Sequence, residues 1–162
     1  MLSKKMEKAL NGHINAEVYS SYLYLSMAAY FESIDMPGAA AWMKKQAGEE
    51  WGHAMKMFEY VVERDGRVQL QKVDAPQEDW ESPLAAFEDA YKHEQLISKK
   101  INELVNDAIV EKDHATNNML QWFVSEQVEE EAAVKIIVSK LKMIGDSTGP
   151  LFMLDRELGS RG

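Results

Sequence analysis

The 4 prolines of this 162-residue chain fall in just three places. Asp35-Met36-Pro37-Gly38 is the first, Asp65-Gly66 through Pro76 to Ser82-Pro83 the second, and Gly145 to Gly149-Pro150 the third. The stretches between them are rich in Ala, Leu, Met, Glu and Lys, the strong helix formers. Five helices are therefore predicted: α1 at about 4–34, α2 at about 38–65, α3 at about 83–111, α4 at about 114–144 and a short α5 at about 150–159. Ser82 can cap α3 with Pro83 in its first turn, and Pro150 reads the same way for α5. Each of the first four would be about 40–47 Å long at 1.5 Å per residue. Such lengths exceed the globular average and suit an all-α bundle.

Connection lengths set the topology. The α1–α2 and α3–α4 turns are short, so each pair should form an antiparallel hairpin. The segment 66–82 has no regular pattern and could stretch to roughly 56 Å. That reach lets it run the bundle's length and start α3 beside the start of α2, giving a four-helix bundle with one long crossover. The chain is read as a single domain, 1–162, with the bundle at about 4–144.

Each helix carries an apolar stripe at 3.6-residue spacing. It passes through Ile14, Tyr24, Ala28 and Phe31 on α1, and Met43, Met57 and Tyr60 on α2. It continues through Phe87, Ile97, Ile101 and Leu104 on α3, and Phe123, Val134, Ile137 and Leu141 on α4. Residues that ordinarily avoid cores interrupt all four stripes: Glu17, Glu50 and His53, Glu94, and Gln127 and Glu130. Counted from the hairpin turns near 36 and 112, Glu17 is 19 residues away, Glu50 14, Glu94 18 and Glu130 18. All four helices thus present carboxylates to one middle layer.

A lone glutamate on a helix is most often a solvated surface residue; coincident placement on four helices is not explained that way. Unpaired burial of four carboxylates costs several kcal/mol per ion, against a typical domain stability of about 5–15 kcal/mol. No Lys or Arg occupies these stripe positions. Two divalent cations would balance the four charges, and Glu50 with His53 at i+3 offers an oxygen and a nitrogen ligand on one helix face. An oxygen-rich set with one imidazole suits Fe(II), with Mn and Zn as competitors. A net charge of −9 and a pI near 5.0 argue against nucleic acid and favour cations. The absence of cysteine excludes disulfides and thiolate metal sites. No signal-peptide core and no membrane-length apolar run is visible, so a cytoplasmic protein is expected.

These segments resemble the ferritin family, and more closely its non-haem bacterial and archaeal members. The carrying residues are Asn15-Ala16-Glu17 through Tyr24, Glu49-Glu50-Trp51-Gly52-His53-Ala54, His93-Glu94, and Glu126-Gln127-Val128-Glu129-Glu130-Glu131, and the resemblance covers essentially the whole chain. It implies a ferritin-like four-helix bundle whose di-iron ferroxidase centre holds one iron by Glu17, Glu50 and His53. Glu50 would bridge to a second iron held by Glu94 and Glu130, with Gln127 lining the site. It also implies a third iron site at Glu49, Glu126, Glu129 and Glu130. Where di-iron bundles commonly give a second E-x-x-H, α4 offers Gln127-x-x-Glu130. Position 52 is Gly, so the methionine that bacterioferritin uses for haem has no match, and no haem is expected.

Tyr24 follows Glu17 by seven residues on the same stripe, and helical side chains lean toward the N-terminus. The resemblance implies a hydrogen bond from Tyr24 to the site and a catalytic part for it. Trp122 reads as packing more readily than as a redox group. His13, His93 and His114 read as solvent or interface residues. The one apolar face of α5 fits its own bundle and a neighbour equally well. The family implies a homo-oligomeric cage of 24 subunits, Fe(II) with O2 or H2O2 as substrates, and ferric oxide mineral stored inside. The competing reading is an oxidase or peroxidase of the same fold that keeps its two irons.

Overall fold

The computed structural model describes residues 1–161. Its helices are α1 Lys4–Ser33, α2 Pro37–Glu63, α3 Pro83–Val110, α4 His114–Ile144 and α5 Thr148–Gly159, close to the predicted bounds. Side chains stop three of them at the N-terminus. The Ser3 hydroxyl accepts from the Met6 N–H, Ser82 from the Ala85 N–H, and Asp113 from the Thr116 N–H. Each satisfies one of the amides that a first turn leaves unpaired. α5 begins two residues earlier than expected, so Pro150 is its third residue, not its first. Proline still fits there, because first-turn amides have no intrahelical acceptor.

The crossover is laced along α1. Asn11 donates from Nδ2 to the Arg67 carbonyl at 2.9 Å and accepts from the Gln69 N–H at 2.7 Å. Farther on, Ser26 donates to the Gln77 carbonyl at 2.5 Å, and Trp80 lies edge-on to Tyr30 at 5.5 Å. The segment therefore begins near the first turns of α1 and ends near its last third. Because α1 and α2 are antiparallel, α3 starts beside the start of α2, as the reach of the chain allowed.

Two apolar clusters fill the bundle. One holds Leu23, Met27, Phe31, Met43, Phe87, Val134 and Leu141; the other holds Met6, Leu10, Met57, Ile97, Ile101, Leu120 and Phe123. The polar layer lies between them. Tyr60 is only half-buried and pairs its hydroxyl with Thr116, so the α2 stripe ends at Met57 and Val61.

α5 folds back onto its own bundle, burying Leu154 and Leu158. The approach to α2 is so close that a Cβ on Gly38 would stand 1.7 Å from the Asp155 carbonyl oxygen. The Asp155 carboxylate accepts from the Gly38 N–H at 3.1 Å and the Ala39 N–H at 2.8 Å. Met36, at the N-cap of α2, makes no side-chain cap. A residue more than a hundred positions away supplies it instead. Among the described residues no helix is long and apolar enough to cross a membrane.

Candidate metal centre

Glu17, Glu50, His53, Glu94, Gln127 and Glu130 are all buried in the layer between the apolar clusters. The layer offers three overlapping donor groups: Glu17, Glu50 and His53; Glu50, Glu94 and Glu130; and His53, Glu126 and Glu130. Within each, one ligand atom per residue lies within 4.8 Å of the others, the spacing a single cation can span. Glu50 belongs to the first two groups and Glu130 to the last two.

His53 Nδ1 sits 3.2 Å from Glu50 Oε2 and 4.0 Å from Glu17 Oε2. The carboxylates are held by neighbouring side chains. Tyr24 donates its hydroxyl to Glu94 Oε1 at 2.5 Å, and Gln127 Nε2 donates to Glu94 Oε2 at 3.1 Å. Gln46 Nε2 donates to Glu50 Oε1 at 3.0 Å and to Glu130 Oε2 at 2.5 Å. His13 Nε2 lies 2.8 Å from Glu17 Oε1. Glu17 Oε2 is buried without any hydrogen-bond partner. Burying a carboxylate oxygen without a partner is costly, and a cation between Glu17, Glu50 and His53 would satisfy it.

Electrostatics agree. Burial and the neighbouring Glu50 charge push Glu94 up to about 8. Burial likewise raises Glu50 to about 7 and Glu130 to about 7. His53 is lowered by burial, but its hydrogen bond to Glu50 and the surrounding carboxylates carry it up to about 9. Glu17 is pushed up by burial and pulled back further by His13, ending below the usual carboxylate range. Such a cluster keeps protons in place of the cations it could hold.

The glutamates expected at a third position are only partly gathered. Glu126 Oε1 is 3.8 Å from His53 Nε2 and shares a donor group with His53 and Glu130. Glu49 is paired with Arg161, and Glu129 is exposed on the same face of α4. Trp122 stands edge-on to His53 at 5.4 Å with the Lys56 ammonium 4.4 Å from its ring.

His13, read as a solvent or interface residue, is buried within its own bundle, and His93 is half-buried. His13 is buried against Glu17, one helical turn before it. His93 hydrogen-bonds Ser20 at 2.7 Å, and burial lowers it to about 4. Ser20 already donates to the Ala16 carbonyl at 2.9 Å, so the neutral His93 ring donates from Nε2 to Ser20. His114 is exposed, as expected. Gln46 was also missed in the sequence, although it precedes Glu50 by one turn on the same face, as His13 precedes Glu17. That i,i+4 relation was the available signal.

A four-helix bundle with one long crossover, its waist lined by carboxylates and one imidazole from all four helices, defines the class of helical bundles built around paired metal positions. The Ferritin-like domain family matches residues 7–144. The bacterial non-heme ferritin of Bacteroides fragilis is 46% identical over 161 residues, covering 99% of this chain and 100% of that one. The bacterial non-heme ferritin of Escherichia coli O157:H7 is 40% identical over 160 residues, covering 99% and 97%. The crystal structure of an open pore ferritin from the archaeon Archaeoglobus fulgidus superposes with a TM-score of 0.99 at 56% identity, covering 100% of both chains. The chain belongs to the ferritin family.

Proposed function

We propose that this chain is an iron-storage subunit that oxidises Fe(II) at its paired centre and passes ferric product to a mineral inside an oligomeric cage. The observation that carries this reading is the sharing of Glu50 between two buried donor groups. A carboxylate common to both is what two adjacent cations need to sit close and react as a pair. Glu17, Glu50 and His53 hold one Fe(II); Glu50, Glu94 and Glu130 hold the other. Each Fe(II) gives up one electron, and O2 or H2O2 takes the pair. Gln127 and Tyr24 fix both oxygens of Glu94, and Gln46 spaces Glu50 from Glu130. A neighbouring third position is assigned to Glu126, Glu129, Glu130 and Glu49, of which Glu126 and Glu130 already share a donor group with His53.

The second position has no imidazole. The two positions therefore hold iron unequally. The whole chain acts as one domain within a homo-oligomer, with 24 copies as the family resemblance implies, in the cytoplasm. No haem takes part.

Aerobic loading with excess Fe(II), followed by size exclusion read for protein and iron together, tests this. Soluble particles of very large size carrying hundreds of irons are expected. Glu50→Ala, which takes a ligand from both positions, is expected to abolish the rapid oxidation. About two irons per chain with the remainder precipitated would establish the metal-retaining oxidase instead.

A further inference from the structure

Across the waist, side chains of α2 and α4 meet directly, with Gln46 reaching Glu130 and His53 lying against Trp122. A residue from beyond α5 sits at the edge of this seam. Arg161 donates from Nη2 to Glu49 Oε2 at 2.8 Å and from Nη1 to Gln46 Oε1 at 3.1 Å. Its guanidinium stacks over Trp42, 4.5 Å from the ring centre, and also donates to the Trp42 carbonyl at 3.4 Å. Four contacts to three residues make this a seated group, not a stray surface arginine.

The seating has two consequences. Gln46 receives Arg161 on its carbonyl oxygen, which turns its amide nitrogen inward onto Glu50 and Glu130. Glu49, one of the carboxylates assigned to the third position, is already neutralised by a cation that belongs to the protein. The guanidinium occupies Glu49 Oε2, so a divalent ion has to compete for that oxygen, and a positive charge a few ångströms away opposes its arrival.

We propose that Arg161 is a positioning residue that stands in for the third cation, holding Glu49 and the Gln46 amide until a divalent ion displaces it. The proposal rests on the reading of the paired centre given above. Arg161 keeps the third position weak, so that iron reaching it is passed on and not trapped. A displaced Arg161 also releases the Gln46 carbonyl, which links occupation of the third position to the carboxylates of the pair.

The test is anaerobic calorimetric titration of the intact assembly with Fe(II), for the wild type, Arg161→Ala and Arg161→Lys, with helicity and particle size checked for each. Two tight binding steps and one weak step per chain are expected in the wild type. Arg161→Ala should tighten the weak step roughly tenfold. Arg161→Lys, which keeps the charge, should stay near wild type. The proposal is overturned if Arg161→Ala weakens or does not move the third step, or if Lys behaves as Ala does. Two tight steps with no third step in any variant also overturn it while the paired centre stands. The absence of every step overturns the paired centre itself, and the proposal with it.

Discussion

Glu17 has one oxygen held by His13 and the other held by nothing. That asymmetry says how the residue would bind: Oε1 is committed to the imidazole, and Oε2 is the free donor. Groups that hold a ligand in place typically matter by about 10–100-fold in metal affinity. His13→Leu is therefore expected to weaken the first cation by that order. His13→Gln, which can still donate to Oε1, should recover most of it. Anaerobic Co(II) titration followed by visible absorption would show this, and equal affinities in Leu and wild type would dismiss His13 as packing. The buried carboxylates were legible in the sequence because a charge in an apolar stripe has no cheap explanation. His13 was not, because a histidine near the start of a long amphipathic helix looks like many surface histidines. Its meaning comes only from the carboxylate one turn later. Arg161 was beyond reach for a different reason: its partner Glu49 lies 112 positions away, and only the return of α5 brings them together.

The boundaries of the elements were readable wherever a local signal existed. Ser82-Pro83 starts α3, and Asp35 and Asp65 follow α1 and α2 in the left-handed region at φ of 58° and 57°. Asp tolerates that conformation because its short side chain bonds locally. The seat of α5 had no such signal, since one apolar face fits any apolar groove. The structure shows that Gly38 and Asp155 decide it. Asp155→Ala removes the two acceptors that cap α2 and should cost about 0.5–2 kcal/mol. Gly38→Ala is expected to do more to α5 specifically, because the added carbon meets backbone at 1.7 Å and the helix has to lift. Thermal unfolding combined with amide exchange separates the two. Asp155→Ala should lower Tm with modest loosening of α5, whereas Gly38→Ala should leave α5 amides exchanging fast. Slow α5 exchange in Gly38→Ala would mean that the close approach is not what seats the helix.

For the molecule as a whole, the polar waist makes metal-free stability depend on pH. Glu94 is raised to about 8, and Glu50 and Glu130 to about 7, each from 4.5. A carboxyl whose folded value is raised stabilises the fold while it keeps its proton, and the stability is lost as pH rises through the folded value. His53, raised from 6.5 to about 9, has the same sign: its contribution is full below 6.5 and gone above 9. Two groups run the other way. Glu17 is depressed, and His93 is lowered from 6.5 to about 4, so the contributions of both are lost on the acid side. Between 4.5 and 6.5 the three raised carboxyls outweigh His93, so the metal-free protein should be most stable near pH 4.5. Because the buried carboxyls titrate as a set and not singly, one broad decline is expected from there to pH 9. Several kcal/mol over that range corresponds to a fall on the order of 10 °C in Tm. A redox-inert divalent ion such as Zn(II) supplies the positive charge that the protons had supplied, so it should flatten the decline and release protons on binding at pH 7. Tm measured from pH 5 to 9 with and without Zn(II), and calorimetry in buffers of different ionisation enthalpy, check both halves of the argument. A metal-free protein whose Tm does not fall above pH 6 would mean that the four-helix carboxylate layer is not carrying protons in place of cations.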